Sequence, residues 1–206
     1  MSVKEIPDIV VGRLPIYLRA LQHMAQEGRQ VTSSQELGER LGISAAQIRK
    51  DLSQFGEFGK QGTGYNIEFL AGQLQQILHL DRVWDVVIVG AGDIGSALAR
   101  YQGFSHRGFR IKMIYDSDPT KIGSQAGGFT VKDSGGMVAE IKAAGIKLAM
   151  IAVPAASAQV VANQLVEAGV QAILNYAPVN LVVPNGVHVQ YIDPSTHLQH
   201  MTYYLD

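Results

Sequence analysis

With 206 residues, 47 % of them hydrophobic, the chain can bury one large core or two modest ones. A formal charge of -1 excludes a uniformly basic nucleic-acid binder, and residues 1–80 set eight Lys or Arg against eight Asp or Glu, so a DNA-facing surface must come from segregated charge. The lack of cysteine excludes disulfides, thiolate metal sites and thiol-based redox sensing; no apolar run nears the roughly 20 residues of a membrane span and "MSVKEIPDIV" has no apolar signal region, so a cytoplasmic protein without a membrane partner is expected.

The first predicted element is a helix with Pro15 near its start and Leu14, Tyr17, Leu18, Leu21 and Met24 along one buried stripe. Ser33 then precedes Glu36 by three and Ser44 precedes Gln47 by three, the reciprocal capping pattern of a helix start, twice within a dozen residues. Gly42 between them suits a sharp reversal, so the pair reads as a helix-turn-helix. On its second helix Ala45, Ile48, Leu52 and Phe55 share the core face. Ser44 at the helix start and the outward Ala46, Gln47, Arg49, Lys50 and Ser53 form the DNA-facing set. Arg can reach guanine and Gln adenine in the major groove, and Lys50 suits a phosphate. "GEFGKQGTGY" spaces glycines around Lys60 ahead of the strand-like "YNIEF", predicting a hairpin wing whose basic tip, Lys60 and Gly62, meets the minor groove or a phosphate strand. The alternatives are an ordinary solvated helix and a loop that binds nothing.

"FLAGQLQQILHLDRVWD" reads as a short connecting helix on Leu70, Leu74, Ile77 and Leu78, with a domain boundary near residue 80. Beyond it "VVIV", "IKMIY", "LAMIAV" and "AILNY" alternate with helix-length segments. Such short continuous apolar runs are strands buried on both faces of a parallel sheet. The expected architecture is α/β: a winged-helix domain over 1–80, a Rossmann-type doubly wound parallel sheet over 81–190, and a C-terminal helix over 191–206, with Pro194 in its first turn and Leu198, Met201 and Leu205 along one side.

In "VVIVGAGDIGSALARY", Gly90, Gly92 and Gly95 fit G-x-G-x-x-G after a strand and at a helix start, with Ala91, Asp93 and Ile94 completing the loop. Gly90 permits the turn, Gly92 lets backbone approach a pyrophosphate, and Gly95 lets helix and strand pack closely. Asp116, 21 residues after Gly95, can take hydrogen bonds from ribose hydroxyls and repels a 2′-phosphate, which favours NAD+ or NADH over the phosphorylated cofactor. Lys121 in "YDSDPTKIG", Val153 and Pro154 in "AVP", and Asn175 and Pro178 in "NYAP" are the further candidates at strand ends; Tyr101 is either a cofactor contact or a core aromatic. No catalytic residue is assigned, because there is no Tyr-x-x-x-Lys pair and none of His23, His79, His106, His188, His197 and His200 has an evident carboxylate partner by spacing. His197 and His200 lack a third ligand, so no metal is expected.

Taken together, "RLPIYLRAL", "SSQELGERLG", "IRKDLSQFGEFGKQGTGY", "GAGDIGSALARYQGF" and "YDSDPTKIG" closely resemble the Rex family of bacterial redox-sensing transcriptional repressors over nearly the whole chain. The resemblance implies a homodimer on a pseudo-palindromic double-stranded operator, NADH and NAD+ competing for the Rossmann domain, and release from DNA as NADH rises. It also implies a C-terminal helix exchanged between subunits, with Tyr101 and Asp193 paired at that junction. The chain departs from the family pattern in two places. Asp93-Ile94 stands where Asn-Leu is usual, and the extra carboxylate is expected to weaken pyrophosphate binding or alter the preference between NAD+ and NADH. Pro194 replaces a usual leucine and bears on the approach angle of the last helix. Rival readings are an NAD-dependent oxidoreductase whose N-terminal helices only dimerise, and a nucleotide-gated module that docks a protein; neither predicts salt-dependent association with duplex DNA.

Overall fold

The structure is a computed structural model that describes residues 6–59 and 63–205. The chain divides into two compact units, Met1–Arg82 and Val83–Asp206.

The first unit runs α1 (Asp8–Val11), α2 (Leu14–Gln26), β1 (Val31–Thr32), α3 (Ser34–Leu41), α4 (Ala45–Leu52), β2 (Tyr65–Asn66) and α5 (Ile67–Ile77). The apolar stripe of α2 is buried throughout and meets Leu37, Ile48, Leu52, Ile67, Leu70 and Leu74 in one core. Ser33 Oγ accepts the Glu36 amide at 3.1 Å and Ser44 Oγ accepts the Gln47 amide at 3.2 Å, so both expected caps form. The reciprocal halves do not: Glu36 turns to Thr32 and Arg29, and Gln47 to Asp51. Gly42 ends α3 at φ +66, the left-handed turn that reverses the chain into α4.

The wing differs from expectation. Tyr65 and Asn66 pair antiparallel with Thr32 and Val31, which precede the helix-turn-helix, rather than forming a strand through Phe69. "YNIEF" splits after Asn66, whose Oδ1 accepts the Phe69 amide at 2.9 Å and caps α5. Helix wins here because Ile67, Leu70 and Leu74 recur at helical spacing and all three are buried in the core. The expected connecting helix is therefore the later part of a core helix. Lys60 and Gly62 lie outside the described residues.

The second unit runs β3 (Trp84–Val89), α6 (Asp93–Arg100), β4 (Phe109–Asp116), β5 (Gln125–Ala126), β6 (Phe129–Asp133), α7 (Met137–Ala144), β7 (Leu148–Ile151), α8 (Ala155–Glu167), β8 (Ala172–Asn175), β9 (His188–Tyr191) and α9 (Pro194–Thr202). Its sheet has the order β5-β6-β4-β3-β7-β8-β9, parallel except for β5 against β6. Chain direction across the sheet reverses between β3 and β7, the switch point where doubly wound folds bind ligands. Residues of β3 alternate between two cores: Val87 and Val89 enter the one containing Ile141, Ile151, Val161 and Leu165, while Val86 and Ile88 face Ala99, Ile111 and Ile114. A strand covered on both faces has no polar side, which is why its sequence is an unbroken apolar run.

Pro194 occupies the first turn of α9, where its missing N–H leaves no bond unmade, and Asp193 caps it. No residue of α9 is buried, and Leu198, Met201, Tyr203, Tyr204 and Leu205 are all at least 60 % exposed. Among the described residues no helix is long and apolar enough to cross a membrane.

Candidate functional site

A cleft of about 840 Å³ opens at the carboxyl ends of β3, β4, β7 and β8. Gly90 turns the chain out of β3 at φ +101, and a Cβ there would strike the carbonyl of Ala152, so only glycine fits between the ends of β3 and β7. A Cβ on Gly95 would overlap the Gly90 carbonyl, which is the close helix-to-strand approach expected from the spacing. At Gly92 a Cβ would meet nothing within 4 Å, leaving space beside the backbone. Gly92 also caps α6 without a side chain, and the opening amides of that helix have no carbonyl of an earlier turn to bond. They form an anion cradle reinforced by the helix dipole.

Asp116 closes the loop from the next strand. Its Oδ2 accepts the Ala91 amide at 2.7 Å, its Oδ1 accepts the Asp118 amide at 2.9 Å, and Lys121 Nζ lies 3.4 Å from Oδ2. Burial alone would push this carboxyl up, but the two amides and Lys121 hold it below the usual carboxylate range. Asp116 thus braces the glycine loop, and its Oδ1 keeps a lone pair for a ribose hydroxyl.

Of the sequence-predicted set, Gly90, Gly92, Asp93, Ile94, Asp116, Lys121, Val153, Pro154 and Pro178 line the cleft. Four do not. The Ala91 amide is engaged by Asp116 and Gly95 packs on Gly90. Asn175 is fully buried: its Nδ2 donates to the carbonyls of Ala177 and Val179, and its Oδ1 accepts the Ala177 amide. Both polar side-chain atoms of Asn175 therefore shape the turn after β8, and the residue is not among those that line the cleft. Tyr101, at the end of α6, is 49 % exposed with its ring edge-on to Phe104, neither in the core nor in the cleft.

Sequence reasoning missed Ser117, Ser134, Ser157, Val160, Gln164 and Tyr176 of the lining. Ser117 and Ser134 directly follow the ends of β4 and β6, and Tyr176 follows β8, so strand ends alone could have marked them. Burial pushes the Tyr176 hydroxyl up. The open space at Gly92, the unbonded amides and the ribose-type acid together fit a dinucleotide.

On α4, Ser44, Ala46, Arg49, Lys50 and Ser53 are exposed. Arg49 Nη1 reaches Ser34 Oγ at 2.9 Å, and Ser53 Oγ donates to the Lys50 carbonyl. Gln47 departs from expectation: it is half-buried and donates from Nε2 to Asp51 Oδ1 at 2.7 Å. Asp51, also missed, is fully buried and takes further bonds from Arg13 (2.5 and 2.8 Å) and the Tyr17 hydroxyl (2.6 Å). An acid one residue before Leu52, on the face that carries Ile48, was its signal.

Asp193 Oδ1 accepts both the amide and the hydroxyl of Ser195, which hold it below the usual carboxylate range. Among the described residues it makes no hydrogen bond to Tyr101 within one chain. No group of three or more His, Asp or Glu that could hold a metal occurs among the described residues.

Residues 5–53 match the family model described as a putative DNA-binding protein N-terminus, and residues 81–179 match the CoA binding domain. The redox-sensing transcriptional repressor Rex of Roseiflexus sp. (strain RS-1) is 55 % identical over 203 residues, covering 98 % of this chain and 92 % of the relative. Redox-sensing transcriptional repressor Rex 1 of Thermotoga maritima is 45 % identical over 201 residues, covering 97 % and 96 %. The crystal structure of RSP in complex with β-NAD+ and operator DNA matches with a TM-score of 0.92 at 37 % identity, over 98 % of this chain and 93 % of that one. RSP in complex with β-NADH matches with a TM-score of 0.88 at 35 % identity, over 100 % and 95 %.

Proposed function

The chain belongs to the Rex family of redox-sensing transcriptional repressors, and from that premise we propose that it binds operator DNA as a homodimer and is released when NADH replaces NAD+. It is a repressor and not an enzyme. The observation that carries this reading is the likeness, over 98 % of the chain, to a repressor solved with both β-NAD+ and operator DNA. A repressor that acts on DNA works where the DNA is, in the cytoplasm.

In this reading Gly90, Gly92 and the first amides of α6 receive the pyrophosphate, and Asp116 takes the ribose hydroxyls while holding the loop at Ala91. The bound dinucleotide supplies the redox signal, since its nicotinamide carries a positive charge only when oxidised. Val153, Pro154, Val160 and Pro178 offer that ring an apolar wall without a countercharge, which disfavours the charged form. Converting a 1:99 conformational mixture into 99:1 takes about 5.5 kcal/mol of differential affinity, within reach of two such pockets in a dimer.

Arg49, Ala46 and Ser53 face the major groove, with Lys50 on phosphate. Asp51 holds the Gln47 amide, leaving it one N–H and its carbonyl for a base edge. The exposed apolar side chains of α9 and the residues after it need cover, which supports exchange of that helix with a second copy and a Tyr101–Asp193 contact between subunits. The test is a gel shift on pseudo-palindromic DNA with NADH and NAD+ titrated separately. Loss of the complex with NADH alone is expected; a complex indifferent to both overturns the sensor reading.

A further inference from the structure

The charge of the cleft does not match an anionic ligand. Three charged side chains line it, Asp93, Asp116 and Lys121. The one cation is shared between two acids, with Lys121 Nζ 3.4 Å from Asp116 and 3.9 Å from Asp118. Asp93, in the first turn of α6, is exposed and its carboxylate makes neither a hydrogen bond nor an ion pair among the described residues. An uncompensated negative charge therefore sits at the same helix end whose amides form the anion cradle.

We propose that Asp93 sets the absolute affinity of the cleft for dinucleotides, weakening NADH and NAD+ alike by repelling their pyrophosphate, and so raises the NADH level at which the operator is released. The inference rests on the sensor reading above and adds a set point to it. The helix dipole explains how the carboxylate is tolerated, because an acid in a first turn is favoured by the partial positive charge there. The same field attracts the ligand, and Asp93 offsets part of it. Fit of the loop does not depend on Asp93, since Gly90 and Gly95 make its close contacts. The pyrophosphate is common to both redox forms, whereas the ring charge that separates them lies at the nicotinamide. The penalty is therefore shared, and the ratio between the two forms stays nearly unchanged. A through-space origin also fixes a signature: exposed charges are screened within about 8 Å at physiological salt and about 3 Å at 1 M.

The experiment measures binding of NADH by its own fluorescence, and of NAD+ by competition, to full-length wild-type protein, Asp93→Asn, Asp93→Ser and Asp93→Glu at low and at about 1 M salt. Asp93→Asn and Asp93→Ser are expected to bind both forms about tenfold tighter at low salt, with the gain shrinking below about twofold at high salt. Asp93→Glu keeps the charge and shows no such gain. Neutral variants that bind no tighter at low salt, or a gain that persists at high salt, overturn the proposal. So does a tightening confined to one redox form. Failure of every variant to bind either form overturns the sensor reading as well, which separates the two outcomes.

Discussion

Asp51 carries four hydrogen bonds in a position without solvent, and its two guanidinium contacts tie the N-terminal end of α2 to α4. Removing one partner of such a pair strands the other, so Asp51→Asn is expected to lower the unfolding free energy by about 3 kcal/mol in denaturant titration. Burial works to raise its pKa, but Arg13, Tyr17 and Gln47 outweigh it and hold the folded value below that of the unfolded chain. The stabilisation is then complete above the ordinary carboxylate range and is lost as pH falls through the lower folded value. A stability profile whose acid limb is as steep in Asp51→Asn as in wild type contradicts this. Asp116→Ala removes the brace on Ala91 and the acceptor facing the cleft; NADH affinity should fall about tenfold or more while operator affinity holds, and equal loss of both would refute separate roles. Asp116 and the glycines were legible because their mechanism is local in sequence. Asp51 and Tyr176 left only a faint mark, a place on the core face of a helix and a place at a strand end, and what each does depends on what packs opposite.

Helices α3 and α4 were readable because their starts are written in single residues. Ser33→Ala should cost about 1 kcal/mol in thermal unfolding, the usual worth of an N-cap. Gly95→Ala forces a methyl into the Gly90 carbonyl and should destabilise the fold by about 3 kcal/mol, with loss of NADH binding in the same preparation. Strands β6 and β9 escaped notice for a physical reason: β6 alternates buried Val131 with exposed polar residues, and β9 lies at a sheet edge with no fully buried residue. The strand partner of Tyr65 and Asn66 was not foreseen because their ladder joins segments separated by the whole helix-turn-helix. Pairing at that distance leaves no hairpin signal between adjacent runs.

For the molecule as a whole, reciprocity constrains how the two sites communicate. If NADH weakens operator binding by some factor, saturating operator must weaken NADH binding by the same factor, measurable by fluorescence titration with and without duplex DNA. Unequal factors would mean that binding of a third species has been overlooked. The plan of two units was legible from how late the glycine loop falls, whereas the uncovered side chains of α9 gained meaning only once their exposure was known. The ladder of Val31 with Asn66 and Thr32 with Tyr65 has a practical corollary. It pinches both ends of the base-reading segment together at one short neck, so residues 31–66 enter and leave the host at a single point. Such a stretch is a candidate cassette, expected to carry its operator preference into another scaffold of this kind where the recipient supplies the counterparts of Arg13 and Tyr17 for Asp51.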